Sequence, residues 1–147
     1  MGQQSFRAGR GSIVGSLLSD DALLNLAREL VRRESENPPG NEARAARYVV
    51  DWLEERGVEA QLVHEPYEDR PQAVGRVGDG EPCFVLNGHL DVVPAGAKEN
   101  WEIPPYEGRI EDGMLHGRGS ADMKSGLATG MMVAARLRED LLDGNLE

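Results

Sequence analysis

The stretch CFVLNGHLDVVP, residues 83–94, decides the fold class. Cys83, Phe84, Val85 and Leu86 form a short apolar run that ends on Asn87 and Gly88. A run of that kind, bounded by turn residues, reads as a strand buried on both faces of a sheet. Cys83 is accordingly expected inside, as a small hydrophobe. His89 and Asp91 then follow two positions apart. On extended chain such residues point the same way. Open α/β sheets bind ligands beyond the carboxyl ends of their strands, so this pair stands where a site is expected. A histidine there can ligate a metal through one ring nitrogen, and an aspartate can take the other N–H and fix the ring. The plainer reading, loop hydrogen bonds only, stays open for an isolated H-x-D.

Outward from this stretch, helical and extended patterns alternate. Ser19 or Asp20 can cap a helix with Leu23, Leu24, Ala27, Leu30 and Val31 on one face. Glu34 to Gly40 (ESENPPG) is a loop, because Pro38 and Pro39 cannot continue a helix. Asn41 restarts one, with Ala46, Val49, Val50 and Leu53 as its stripe and Gly57 as its stop. Strands are expected over Val58 to His64 and near Ala73 to Val77. Residues 92–108 read as irregular. Arg109 to His116 reads as a hairpin around Asp112-Gly113, and a last helix runs from near Lys124 to about Asp140. The fold class expected is α/β, an α/β/α sandwich with a mixed sheet.

Length and charge exclude other classes. The 147 residues suit about one domain. A net charge of −10 disfavours nucleic-acid binding, which wants a basic face. No apolar run approaches the ~18 residues of a membrane span, and one cysteine allows no intrachain disulfide. Residues 1–18 (MGQQSFRAGRGSIVGSLL) read as a flexible tail: the apolar patch is too short for a secretory signal, and Phe6 breaks the myristoylation pattern. A cytoplasmic protein is expected.

A second block, LHGRGSADMKSG (Leu115 to Gly126), bears on the chemistry. It fails as a dinucleotide loop, since Asp122 stands where the third glycine belongs. It fails as a P-loop, since Met123 precedes Lys124-Ser125. Ser120 is not in a nucleophile elbow. What remains is an aspartate at a helix entrance, which can cap the helix or present its carboxylate to a metal.

Together, GHLDVVP, then Trp101 and Pro105, then GRGSADMKSG resemble the M20-type metallopeptidase family of aminoacylases, acetylornithine deacetylases, succinyl-diaminopimelate desuccinylases and glutamate carboxypeptidases. The resemblance covers roughly residues 19–140, and its motifs are specific: several fixed residues in two blocks, in the right order. Ser125, where glycine is frequent, and Tyr106, where phenylalanine is common, are departures that touch no proposed ligand. The resemblance implies that His89 binds one zinc, that Asp122 bridges two zincs, and that Asp91 serves catalysis by clamping the His89 ring. Cobalt or manganese are alternatives to zinc. It also implies a cis peptide between Asp122 and Met123, a homodimer for the full-length protein, and hydrolysis of an amide in a small-molecule N-acyl amino acid or peptide. No nucleic-acid or membrane partner is expected.

A catalytic zinc takes about three protein ligands plus water. The other histidines, His64 and His116, fall outside the ligand motifs and read as structural or solvent-facing. The family's paired glutamates come after the next strand, and residues 123–147 contain no Glu-Glu. Glu139-Asp140 reads as a solvated helix end. The expectation is therefore that residues 19–147 are the N-terminal portion of the catalytic domain, without its dimerisation domain or C-terminal part, and inactive alone. The alternative is a non-catalytic binding domain derived from the same family.

Overall fold

In the computed structural model, residues 19–142 are described; the expected tail over residues 1–18 lies outside them. The elements, in chain order, are helix α1 (Asp20–Val31), helix α2 (Ala43–Glu54), strands β1 (Glu59–Val63) and β2 (Gln72–Arg76), strands β3 (Arg109–Glu111) and β4 (Met114–His116), and helix α3 (Ser125–Leu142). A 3-10 turn over Lys98–Asn100 interrupts the long irregular stretch.

Each element forms where its residues favour it. The Ser19 hydroxyl accepts the Ala22 N–H at 3.1 Å, satisfying one of the first-turn amides of α1. Asp20 and Asp21 add negative charge at the positive end of the helix dipole. Helix α2 has no side-chain cap. Its N-cap residue, Glu42, turns its carboxylate to Arg70 instead. Gly57 ends the segment with φ 73°, in the left-handed region that glycine adopts without a Cβ clash. Asp112 (φ 52°) and Gly113 (φ 74°) make the tight turn between β3 and β4 that the Asp-Gly pair predicts.

The core lies where the three helices meet β1 and β2. Leu26, Ala27 and Leu30 of α1 pack with Val49, Trp52 and Leu53 of α2 and with Ala128, Met131, Met132 and Ala135 of α3. The spacing within α3 is i, i+3, i+4, i+7, one helical face. Val58 closes the core at the entry to β1. The expected α/β class is thus present as helices with small sheets. The sheets are two antiparallel pairs, β1 with β2 and β3 with β4, and one parallel bridge joins Glu36 to Val92.

The apolar run that opened the sequence reading behaves differently from expectation. Residues 83–86 pair with no strand among the described residues, and Phe84, Val85 and Leu86 are 86%, 73% and 54% exposed. Cys83 is exposed as well, not buried. Burial on both faces requires neighbouring strands to carry the covering helices, and no described strand flanks this run. Leu86 approaches α3, its Cδ1 3.9 Å from where a Cβ would stand on Gly130. No described helix is long and apolar enough to cross a membrane.

Candidate metal centre

Three segments build the site. The first is Asn87 to Val92, a segment without regular secondary structure whose end is fixed at Val92, bridged in parallel to Glu36. Val92 donates its N–H to Ser35 O and accepts the Asn37 N–H at its own carbonyl, both at 2.9 Å. The second is the loop before α2, residues 34–40. The third is the GRGSADMK block. There Gly117 (φ 151°) and Gly119 (φ 79°) let the backbone approach closely: a Cβ on Gly117 would stand 2.5 Å from Val31 Cγ1, and one on Gly119 2.4 Å from Val92 Cγ1. Only glycine meets both the space and the φ at position 119. The close approach sets the irregular turn Ser120–Lys124 against the end of the His89 segment. The peptide between Asp122 and Met123 is cis.

His89 and Asp122, 33 residues apart in sequence, meet here: Nε2 of His89 lies 2.9 Å from Oδ1 of Asp122. On the other side of the ring, Nδ1 lies 2.9 Å from the main-chain oxygen of Asp91 and 3.2 Å from its Oδ1. All three residues singled out in the sequence are therefore brought together around one imidazole. Asp122 lies three residues before the first residue of α3, in non-helical conformation (φ −126°, ψ 96°), and its carboxylate faces the histidine.

The electrostatics follow from these contacts. The hydrogen bond to Asp122, with that to the Asp91 carbonyl, raises the His89 pKa above its ordinary 6.5 against the effect of partial burial. The Asp91 carboxyl is held below its ordinary value, chiefly because Asn37 Nδ2 donates to Oδ2 at 2.9 Å. A cleft of about 430 Å³ opens beside the ring, lined among others by Glu42, Arg70, His89, Asp91, Met123 and Leu127. The Arg70 guanidinium binds both Glu42 oxygens, at 3.1 and 2.5 Å, so this wall is charged but internally paired.

Two residues matter here that the sequence did not flag. Asn37 sits in what reads as a plain proline loop; no local pattern points to a partner 54 positions away. Lys124 is fully buried, with Nζ donating to Leu30 O at 3.0 Å and Arg33 O at 2.8 Å. It ties the end of α1 to the Asp122 turn. His64 is exposed and its Nδ1 lies 2.8 Å from the main-chain oxygen of Glu68; His116 ends β4. Neither forms a hydrogen bond or ion pair with His89, Asp91 or Asp122.

Among the described residues, no group of three or more His, Cys, Asp or Glu side chains is gathered as a metal site. The donor set facing one point is a pair, the His89 Nε2 and the Asp122 carboxylate. Imidazole with carboxylate suits zinc and similar dications. Asp122 keeps an 89% exposed side chain with which to take one. The pair fits part of a metal site and leaves further ligands to be supplied.

Comparison with known proteins bears on this arrangement. The model of peptidase family M20/M25/M40 matches residues 85–147. A succinyl-diaminopimelate desuccinylase of Methylobacterium radiotolerans is 43% identical over 120 residues, which cover 80% of this chain and 29% of that protein. One from Psychromonas ingrahamii is 39% identical over 111 residues, covering 76% of this chain and 28% of that protein. The chain thus spans less than a third of the length of these relatives. A solved structure of an M20 family metallo-carboxypeptidase from Sulfolobus solfataricus superposes with a TM-score of 0.70 at 24% identity, over 84% of this chain and 28% of that one. At that identity the likeness speaks for the fold.

Proposed function

The chain belongs to the M20/M25/M40 peptidase family, and we propose from this that the whole protein hydrolyses an amide bond in an N-acyl amino acid or small peptide with the help of bound metal. The observation that carries the reading is the convergence of His89 Nε2 and Asp122 Oδ1 at 2.9 Å. Zinc, two ions per complete site, is the metal proposed, with cobalt or manganese as alternatives. When bound, such a dication supplies Lewis acidity toward a carbonyl oxygen and lowers the pKa of water.

The chain's own residues have distinct tasks in this proposal. His89 offers Nε2 as a ligand once that nitrogen has given up its proton. Asp91 holds the opposite ring nitrogen, which fixes the tautomer with Nε2 free. Asp122 presents a carboxylate that can be shared between two cations. Met123 and Leu127 are among the apolar residues that line the cleft, against which an acyl chain can lie. A general-base glutamate and the further ligands belong to the proposal for the whole protein, as do a homodimer and a cytoplasmic location. Two relatives carry the name succinyl-diaminopimelate desuccinylase, so N-succinyl amino acids are the first substrates to test.

Zinc titrated into the chain against a chromophoric chelator should be taken up, and His89→Ala and Asp122→Ala should each weaken that uptake. In the whole protein, His89→Ala should abolish hydrolysis of N-succinyl and N-acetyl amino acids. Hydrolysis at near-normal rate in that variant refutes the assignment. Absence of zinc binding in every form of the protein would favour the non-catalytic binding domain.

A further inference from the structure

Ser35, Glu36 and Asn37 each engage the segment that follows His89. The Ser35 hydroxyl donates to Leu90 O at 2.7 Å. A Glu36 oxygen accepts from Ala95 N at 3.0 Å and from the Tyr106 hydroxyl at 2.5 Å. Asn37 Nδ2 donates to Asp91 Oδ2 at 2.9 Å. The main chain runs alongside, with Val92 N–H to Ser35 O and Asn37 N–H to Val92 O. The three side chains reach different points along this segment. Ser35 and Asn37 meet Leu90 and Asp91, while Glu36 reaches past them to Ala95 and Tyr106.

Asn37 differs from its two neighbours in what it holds. Ser35 and Glu36 fix backbone and a phenol. Asn37 fixes the carboxylate that faces the His89 ring. A carboxylate free to rotate offers either oxygen to Nδ1, at varying angles. With Oδ2 taken by an amide N–H, Oδ1 is the oxygen left toward the ring, 3.2 Å away. An amide is suited to this task because it donates without carrying charge and has the same donor strength across the working pH range.

We infer that Asn37 is a positioning residue for the metal centre: through Asp91 it orients the His89 imidazole. This rests on the reading of His89 as a metal ligand. Partners of a ligating histidine change metal affinity by about 10–100-fold when removed. Asn37 acts one hydrogen bond further out, so the lower end, about tenfold, is expected for its removal.

The test uses the chain with Asn37→Ala and, as a variant of the same size that lacks the donor, Asn37→Asp. The first readout is metal-free. Side-chain couplings and cross-relaxation of the His89 ring by NMR should report one rotamer in the wild type and averaging in both variants. Amide exchange at Val92 should be unchanged, because its bond to Ser35 is main chain. The second readout is zinc affinity by chelator competition, expected to fall about tenfold. In an Asp91→Ala background, Asn37→Ala should cost nothing further, since the route runs through Asp91. A His89 ring that averages in the wild type, stays equally ordered in both variants, or responds additively to the two substitutions overturns the inference. A wild-type chain that takes no zinc refutes the metal reading instead, and the ring order alone then decides the role of Asn37.

Discussion

Lys124 is the residue whose replacement tests the packing behind the site most sharply. Its ammonium is fully buried and donates to Leu30 O and Arg33 O. Lys124→Met keeps an unbranched side chain of similar length and removes both bonds. Hydrogen bonds from a charged donor contribute about 1.5–3 kcal/mol each, so about 3–6 kcal/mol is lost. Against this stands the relief of not burying a charge. Burial lowers the Lys124 pKa from 10.5 to about 8, and at about 1.36 kcal/mol per pH unit that gap corresponds to about 3 kcal/mol regained. Leu30 O also keeps a second partner, the Arg33 N–H at 3.1 Å. The bonds therefore win by a small margin, and the variant should be less stable by about 1–2 kcal/mol near pH 7.

The pH dependence separates the two contributions. Between about 8 and 10.5 the folded amine has lost its proton while the unfolded one keeps it. The unfolded state then binds more protons, so the unfolding free energy of the wild type rises with pH across this window. The full gain is reached above the unfolded pKa and is absent below the folded one. Lys124→Met has no such group. Urea unfolding of both proteins from pH 7 to 10 should thus show a stability difference that widens as pH rises. A variant as stable as the wild type at pH 7, or a difference that is flat with pH, refutes the argument.

Other outcomes follow from the same contacts. Gly119→Ala should lower stability by about 2 kcal/mol or more, since its Cβ meets Val92 Cγ1 at 2.4 Å and φ is 79°; an unchanged urea midpoint would contradict it. Phe84→Ser, at a position 86% exposed, should leave stability within about 0.5 kcal/mol, whereas a core strand would lose several. Cys83 should react with a thiol reagent in the folded chain nearly as fast as in urea, because it is exposed; strong protection would restore the buried-strand reading. In the metal-free chain, an NMR titration should place the His89 pKa above 6.5, and Asp122→Asn should bring it down. The sign for stability is that of a raised pKa: the contribution of this pair is complete below the unfolded value and disappears as pH rises through the folded one.

Much of the architecture is legible in the sequence because its signals are local. The stripe Ala46, Val49, Val50 and Leu53 is buried in α2 as its spacing predicts. The Asp112-Gly113 pair makes its turn, and His89, Asp91 and Asp122 meet as two motifs suggest. The illegible parts are those that depend on a distant partner. An apolar run reads as a buried strand only if other strands flank it, and residues 83–86 have none among those described. A lysine reads as exposed by residue type, and nothing near Lys124 announces the carbonyls of Leu30 and Arg33. Asn37 is hidden for the same reason, by a loop whose prolines explain its shape without its contacts.

These two hidden residues change the account of what positions the site. The sequence points to a strand whose carboxyl end delivers His89. In the structure, Phe84, Val85 and Leu86 are exposed, so the order of His89 has to come from the residues after it. It does: Val92 is gripped on its N–H by Ser35 and on its carbonyl by Asn37. Asp91 is held by the Asn37 amide, and the Asp122 turn is drawn to the end of α1 by Lys124. Leu30, one of the two α1 and α1-loop residues whose carbonyls Lys124 takes, is itself part of the core. The polar contacts of the site thus lead, within two or three hydrogen bonds, to the packed helices. Polar groups at half-buried positions are costly unless bonded, and here each bond that satisfies one also fixes a member of the site.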